Sequence, residues 1–489
     1  MECINCDVRQ VRKHSSSRDD DPGTEIFATL GFLFGTGPVT VQHQNIDIAI
    51  IGGGATGVML AIQLLRQSPG LLNITLIDRG PDIGVGVAYA TQCANHLLNI
   101  PAADMSALPD DPDHFVRWLS AEESRESWTC DAFVPRRTYG RYLRSLLSDA
   151  VRQSAGRLSV MMGEVTAATV DRTRVQLSVD GTKSMESRAA ILATGNHPPS
   201  DDYGAYRGNP WRLNAIGELA PSASVLLIGT GLTMIDVIIS LAEKNHTGQI
   251  IALSRRGLLP RAHPIAKPAP ASCQTEILFS GSLSTRLRRF RAMARRQEGW
   301  DGIMQALRPH NAALWHSLNH EQRRRFLRHL RPWWDVHRHR VAPNAGRTLD
   351  AMMASGQLQT IAGRVAAMDV ADTLARVSIV RRGARDSEAH VFDRIIDCRG
   401  PRNGLDSRSP VQVHLAKSGL LRTDRLELGL DVTMNGALET NSGMAATRLF
   451  ALGPPTKGRH WEINAIPDIR RHAAEMAKHL VESVVSGRI

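Results

Sequence analysis

Two short glycine-rich stretches hold the residues best spaced for chemistry. In the first, Gly52, Gly54 and Gly57 stand in the order G-x-G-x-x-G. Such a turn lets the backbone approach a pyrophosphate, and the third glycine lets a helix pack closely on a strand. Asp78 follows twenty-one residues after Gly57. A carboxylate at that distance can accept a hydrogen bond from a ribose hydroxyl. In the second stretch, Gly229, Thr230 and Gly231 repeat the first two glycines, but Met234 stands at the third position. Met234 is expected to loosen the packing of helix on strand while leaving the glycines nearest the phosphates intact. Arg255 and Arg256 occupy the place where an acid would read a ribose hydroxyl. Guanidinium groups there pair with a 2′-phosphate, so NADPH is favoured over NADH.

These residues need strands and helices to hold them. The apolar run from Ile46 reads as a buried parallel strand, Val58 to Arg66 as a helix, and Asn73 to Ile77 as the next strand, ending on Asp78. A strand over Arg188 to Ala193 runs into Thr194-Gly195, a small-residue crossing where the chain can pass close to a cofactor. Val225 to Ile228 and Ile250 to Leu253 flank the second turn as its strands. Further strands are expected at Arg394 to Asp397 and at Arg448 to Leu452, the latter ending in Gly453-Pro454, and Asp468 to Val481 closes the chain as a helix behind Pro467. The loop over 96–108, which includes Asn99, is rich in Asn, Pro and small residues and suits wrapping a flat ligand.

The chain has 489 residues and an apolar fraction of 42%, enough for two or three domains with sizeable cores. Residues 1–44 show no sustained period and are expected to form a disordered extension. No apolar run reaches the length of a membrane span, and the flank of the Ile26 to Phe34 run is acidic, so a cytoplasmic protein without membrane contact is expected. Of the six cysteines only Cys3 and Cys6 are close together, and neither lies near a nucleotide turn, which argues against a disulfide reductase. Residues 255–347 hold 19 Lys and Arg against 5 Asp and Glu. That excess of +14 exceeds the net +11 of the whole chain, so the rest is slightly acidic. The segment reads as a helical, arginine-rich insert without a nucleic-acid motif. His337 and His339 stand two apart, which does not put them on one helical face, and spacing identifies no third ligand; no metal is expected.

The stretches G-V-G-V-A-Y (84–89), H-L-L-N-I-P-A-A-D-M-S-A (96–107), G-T-G-L-T-M-I-D (229–236), S-R-R-G-L-L-P-R-A-H (254–263), W-W-D-V-H-R-H-R (333–340) and L-F-A-L-G-P-P-T-K-G (449–458) extend the pattern over most of residues 45–485. Together they resemble the FAD/NAD(P)-binding flavoprotein family that includes FAD-dependent urate hydroxylases and an aspartate N-monooxygenase. The resemblance implies an α/β fold with two Rossmann-like dinucleotide-binding domains and a helical arginine-rich insert. FAD would be held by Gly52, Gly54, Gly57, Asp78, Asn99, Thr194, Gly195 and Gly453, and NAD(P)H by Gly229, Thr230, Gly231, Arg255 and Arg256. The FAD domain would take 45–220 and the end of the chain, the NAD(P)H domain 221–350 and its return within 351–489.

Many flavoproteins of this broad type end the last strand in Gly-Asp, whereas this chain has Gly453-Pro454, so the contact of that acid must come from elsewhere. The chemistry implied is hydride transfer from NAD(P)H to flavin, uptake of O₂ as a C4a-hydroperoxide, and attack on it by a nucleophilic substrate. Urate, a flat anion, is the first expectation, with Arg261, Arg338 or Arg340 as cationic partners and His263 and His337 managing protons. N-hydroxylation of an amino acid or amine, or plain flavin oxidoreductase chemistry, are the alternatives; a non-enzymatic flavin sensor stands behind them. Oligomeric state is not read from these residues.

Overall fold

The computed structural model describes residues 45–81, 83–122, 128–196, 207–210, 216–217, 219–264, 275–296, 300–371, 374–400 and 409–489. The expected N-terminal extension over 1–44, with Cys3 and Cys6, lies outside the described residues, as does Cys273.

Two sheets organise the chain. The first begins with β1 (Ile46–Ile51), β2 (Ile74–Asp78) and β3 (Leu158–Met162), which are parallel in the order 1-2-3. The antiparallel strands β4 (Val165–Val170) and β5 (Val175–Val179) then lead into β6 (Lys183–Leu192), which returns to lie parallel against the other side of β1. The second sheet contains β7 (Arg207–Gly208), β8 (Val225–Ile228), β9 (Ile250–Ser254), β10 (Leu358–Ala371), β11 (Leu374–Arg381), β12 (Ser387–Phe392) and β13 (Arg394–Asp397). Its plan repeats the first: β8 is central, with β9 and β13 parallel on its two sides and a β10–β11–β12 meander beyond β9. After β14 (Ala437–Glu439), β15 (Ala445–Ala451) goes back to the first sheet and pairs in parallel with β6.

The central strands are apolar on both faces because both faces are covered. In β1, Ile48 and Ile50 enter the core formed with the helices Ala55–Gln67, Arg136–Gln153 and Ile466–Val485, while Ala49 and Ile51 enter the core on the opposite face. Each fully buried Ile or Leu side chain contributes about 1.5–3 kcal/mol through removal from water. In the second sheet, Val225 and Leu227 face the helix Leu232–Glu243, and Leu226 faces the meander. That helix also docks on the first domain. Asp236 accepts both nitrogens of Arg136 at 2.8 and 3.0 Å, and His96 Nε2 lies 2.9 Å from the Asp236 carbonyl oxygen.

Between β9 and β10 the described residues are mostly helical. The helices are Leu283–Arg296, Trp300–Leu307, Asn311–His316, His320–Arg325, Arg331–Arg338 and Pro343–Ala354. A π-turn over Phe326–Leu330 joins the helices His320–Arg325 and Arg331–Arg338. Among the described residues no helix is long and apolar enough to cross a membrane.

Candidate active site

Both glycine turns close a strand and open a helix, and in each the first glycine is fixed by the fold. Gly52 has φ +115°, and a Cβ there would lie 2.3 Å from the Ala193 carbonyl oxygen on the crossing after β6. Gly229 has φ +109°, and its Cβ would lie 2.6 Å from the Cys398 carbonyl oxygen after β13. The second glycines differ in kind. A Cβ on Gly54 would make only an ordinary contact, 3.5 Å from Gly86 Cα, and one on Gly231 would meet nothing within 4 Å. Neither has positive φ. The chain itself gives no reason for a glycine at these two positions, whereas a pyrophosphate drawn against the backbone does. This is the fit expected of two dinucleotides.

The third position sets the helix distance. A Cβ on Gly57 would come within 1.9 Å of the Gly52 carbonyl oxygen. Met234, at the corresponding place, is wholly buried in the core of its domain, so there the helix makes room for a full side chain.

Around the first turn, Asp78 Oδ2 accepts from the Gly53 N–H at 2.6 Å and Oδ1 from the Gly80 N–H at 2.9 Å. The carboxylate is thereby held at the turn with lone pairs left for a ribose. Thr194 Oγ1 accepts from Gln412 Nε2 at 3.0 Å, a buried amide that sequence reading does not single out. Gly195 has φ +65° and open space at its Cβ position. Gly453 has φ +82° and is pressed on the first turn of the Ala55–Gln67 helix, 2.7 Å from Thr56 Oγ1 to a Cβ placed there.

The second turn opens into a cleft of about 1300 Å³. Thr230 Oγ1 donates to the Leu258 carbonyl oxygen at 2.6 Å and lies 2.9 Å from Ser254 Oγ, so it shapes the turn. Arg255 and Arg256 line the cleft, and Arg256 Nη2 is 3.4 Å from the His329 carbonyl oxygen. Two further arginines join them. Pairing of Ala362 with Ser254 brings Arg364 beside the turn, and Arg382, whose N–H donates to the Ala362 carbonyl oxygen at 2.7 Å, comes with it. Four guanidinium groups thus surround the end of β9. At its other end the cleft reaches Asn99, Arg331, Arg338, Lys457 and Asn464. Lys457 Nζ lies over the Trp461 ring at 5.3 Å and makes no hydrogen bond or ion pair among the described residues. Burial, followed by the charge of Arg331, pushes its pKa down to about 8.

Of the five residues expected to act on substrate, His263, His337, Arg338 and Arg340 lie close together and most are engaged, while Arg261 is exposed with Nη1 3.4 Å from His337 Nδ1. Arg338 Nε donates to Glu462 Oε2 at 2.7 Å. Glu462, only 4% exposed and at φ +69°, also accepts from Trp334 Nε1 at 2.6 Å and Asn311 Nδ2 at 2.8 Å. Burial works to raise the Glu462 pKa, but Arg338, His339 and the Trp334 indole hold it below the usual range. Arg340 is 7% exposed and paired with Asp301. His337 stacks on Trp300 with ring centroids 4.7 Å apart, and His263 Nε2 lies 2.9 Å from the Asn99 carbonyl oxygen. Burial lowers the pKa of both histidines, so both are neutral near pH 7. His263, His337, Arg338 and Arg340 share a small pocket of about 60 Å³ beside the cleft; Arg338 alone of the four also lines the cleft itself. His337 lies in the last turn of the helix Arg331–Arg338 and His339 is its C-cap; His339 lines the cleft and His337 does not. No group of three potential metal ligands occurs among the described residues.

Residues 49–197 match the family model described as FAD-NAD(P)-binding. No curated protein matches the chain. Among solved structures, ornithine hydroxylase from Pseudomonas aeruginosa is similar over 90% of this chain and all of its own, with 16% identity and a TM-score of 0.62. L-lysine 6-monooxygenase from Pseudomonas syringae has the same coverage and identity and a TM-score of 0.63. A cadaverine monooxygenase from Erwinia amylovora, bound to FAD, is 14% identical over 90% of this chain and 95% of its own, with a TM-score of 0.59. The fold of the chain is therefore that of two-domain FAD and NAD(P) flavoproteins, and residues 49–197, which match the FAD-NAD(P)-binding model, lie in the part of it built on the first sheet.

Proposed function

We propose that the protein is an FAD-dependent, NADPH-consuming monooxygenase that hydroxylates the nitrogen of a small amine or amino acid carrying a carboxylate. The observation that carries this reading is the single cleft running from the second glycine turn to Lys457 and Asn464. The likeness in fold to three N-hydroxylating monooxygenases supports N-hydroxylation ahead of urate, which the sequence puts first.

FAD, when bound, would supply the redox chemistry, with NADPH providing the two electrons and O₂ dividing between the hydroxylated substrate and water. The protein holds and orients. Gly52 and Gly54 admit the pyrophosphate to the N–H groups opening the Ala55–Gln67 helix, and Asp78 accepts from the adenosine ribose. Arg255, Arg256, Arg364 and Arg382 receive the 2′-phosphate of NADPH. Lys457 binds the substrate carboxylate, since Arg338 and Arg340 are already committed to Glu462 and Asp301. The positive lining also disfavours an ammonium ion, which leaves the substrate nitrogen its lone pair. Neutral His263 and His337 can take the proton released from that nitrogen through the adjoining pocket. Residues of the insert from Leu327 to His339 line one part of the cleft.

Urate remains the second reading, favoured by the same cationic lining, which would suit a flat anion. A cytoplasmic location fits the free thiols of Cys93, Cys130 and Cys398 and the NADPH it draws on. The test is NAD(P)H consumption by the FAD-loaded protein with ornithine, lysine, cadaverine, aspartate, urate or no addition, with product analysis. Acceleration by an amine with a hydroxylamine product is expected; acceleration by urate alone would reverse the order of the two readings.

A further inference from the structure

Lys457 shares the lining of the cleft with Arg308, Arg331 and Arg338, and the charges of these four groups do not simply add. Each arginine has a carboxylate beside it. Arg308 Nη1 lies 3.1 Å from Asp104 Oδ2, Arg331 Nε 3.4 Å from Asp335 Oδ2, and Arg338 Nε 2.7 Å from Glu462 Oε2. Three such pairs sum to zero. Lys457, stacked over Trp461 at 5.3 Å with no ion pair among the described residues, supplies the one unmatched charge.

The pair of Arg338 and Glu462 is the most enclosed of the three. Its side chains are 12% and 3% exposed, against 22% to 38% in the other two pairs. Water and salt screen it least, so its neutrality matters most to a ligand nearby. Glu462 is also held against its backbone preference, at φ +69°, where a residue with a Cβ is uncommon. What holds it is three donors from the insert, Asn311 Nδ2, Trp334 Nε1 and Arg338 Nε. Of the three only Arg338 is charged. The carboxylate stays ionised, because Arg338, His339 and the Trp334 indole outweigh the effect of burial.

We infer that Glu462 sets the charge class of the substrate: by keeping Arg338 in a neutral pair it leaves Lys457 as the one free cation, so the cleft takes a single carboxylate and rejects a dicarboxylate. This rests on the reading that Lys457 binds the substrate carboxylate. A second carboxylate would enter beside guanidinium groups already matched by Asp335 and Glu462. It would lose hydration without gaining a charge partner, and it would be repelled by those two acids. Among the amines to be screened, aspartate should therefore be a poor substrate.

The experiment titrates the FAD-loaded full chain by calorimetry at pH 7 with pentanoate, which has one carboxylate, and glutarate, which has two on a chain of equal length. Saturating NADP⁺ is present throughout, so that the arginines around the end of β9 do not take up the probes. One pentanoate per chain should bind, be lost in Lys457→Met, and exceed glutarate in affinity about tenfold. That wild-type comparison needs no variant to fold. Glu462→Gln keeps an oxygen for Asn311 and Arg338 but removes the charge. It should move the ratio of affinities about tenfold toward glutarate, with glutarate bound more tightly than by the wild type. Glu462→Gln combined with Trp334→Phe repeats the test without a donor facing the new amide nitrogen. A structural role alone would weaken both probes or neither. Glutarate bound by the wild type as tightly as pentanoate, or a ratio unmoved in both variants, would overturn the proposal and leave the carboxylate site at Lys457 standing. Pentanoate bound equally by Lys457→Met would remove that site and the proposal with it.

Discussion

Replacing the glycines one at a time should separate those needed by the fold from those needed by the cofactors. Gly57→Ala places a methyl 1.9 Å from the Gly52 carbonyl oxygen, and Gly52→Ala places one 2.3 Å from the Ala193 carbonyl oxygen at φ +115°. Overpacking of this kind costs about 1–3 kcal/mol, and positive φ at a residue with a Cβ adds roughly 1–2 kcal/mol. Against a total stability of about 5–15 kcal/mol, both substitutions should lower the melting temperature by several degrees or prevent folding. Gly54→Val and Gly231→Val meet no such obstacle, because the nearest atom to a Cβ is 3.5 Å away in one case and beyond 4 Å in the other. Their cost to the apoprotein should stay within about 1 kcal/mol. Yet the Gly54→Val protein should contain no FAD, and the Gly231→Val protein should keep FAD but bind NADPH at least tenfold more weakly. The assay is flavin content by absorbance, together with thermal melts of the stripped apoproteins, since bound FAD stabilises the wild type by mass action. A folded Gly54→Val protein with one FAD per chain, or an apoprotein as unstable as Gly57→Ala, would refute this division.

Other consequences can be checked alongside. Neutralising Arg255 and Arg256 together should raise KM for NADPH roughly ten- to a hundredfold with little effect on NADH, and adding Arg364 and Arg382 should deepen the loss; equal effects on both coenzymes would remove these groups from the 2′-phosphate. Because Lys457 is charged only below about pH 8, substrate KM should climb as pH rises through that value, and Lys457→Met should raise KM about tenfold and flatten the profile. Unchanged KM in Lys457→Met would contradict the assignment of the carboxylate. His460 and His472 face each other with centroids 4.3 Å apart. Burial first, then the other histidine for His460 and Arg471 for His472, pushes their pKa values down to about 3 and about 4. The unfolded chain, with ordinary histidines near 6.5, takes up protons first as pH falls, so stability is full above about pH 6.5 and declines below it. At pH 5 each should cost about 2 kcal/mol, visible as a falling urea midpoint between pH 7 and 5 that His472→Gln reduces.

The nucleotide turns are legible in the sequence because a strand, two or three glycines and a helix lie within a dozen residues and their physics is local. Asp78 belongs to the same local unit. Arg364 is different: it reaches the phosphate-binding end of the cleft only because β10 pairs in register with β9 across the helical insert. The partners of Arg338 and Arg340 were likewise out of reach, since Glu462 is 124 residues from Arg338 and Asp301 is 39 from Arg340. A cluster of arginines in a chain reads as free charge until its carboxylates are placed. The meander strands, such as Leu374–Arg381 with its alternating burial, carry a period that sequence reading passes over for want of a motif. Lys457 stands in a recognisable stretch, but its lowered pKa comes from packing against Trp461 and Arg331, which no spacing reveals.

The most direct measurement is turnover under ¹⁸O₂ with NADPH and the best amine from the substrate screen, followed by mass spectrometry of the product. One ¹⁸O atom on the substrate nitrogen for each NADPH consumed is the predicted result. NADPH consumed at the same rate with and without amine, with all the labelled oxygen recovered as peroxide, would contradict it.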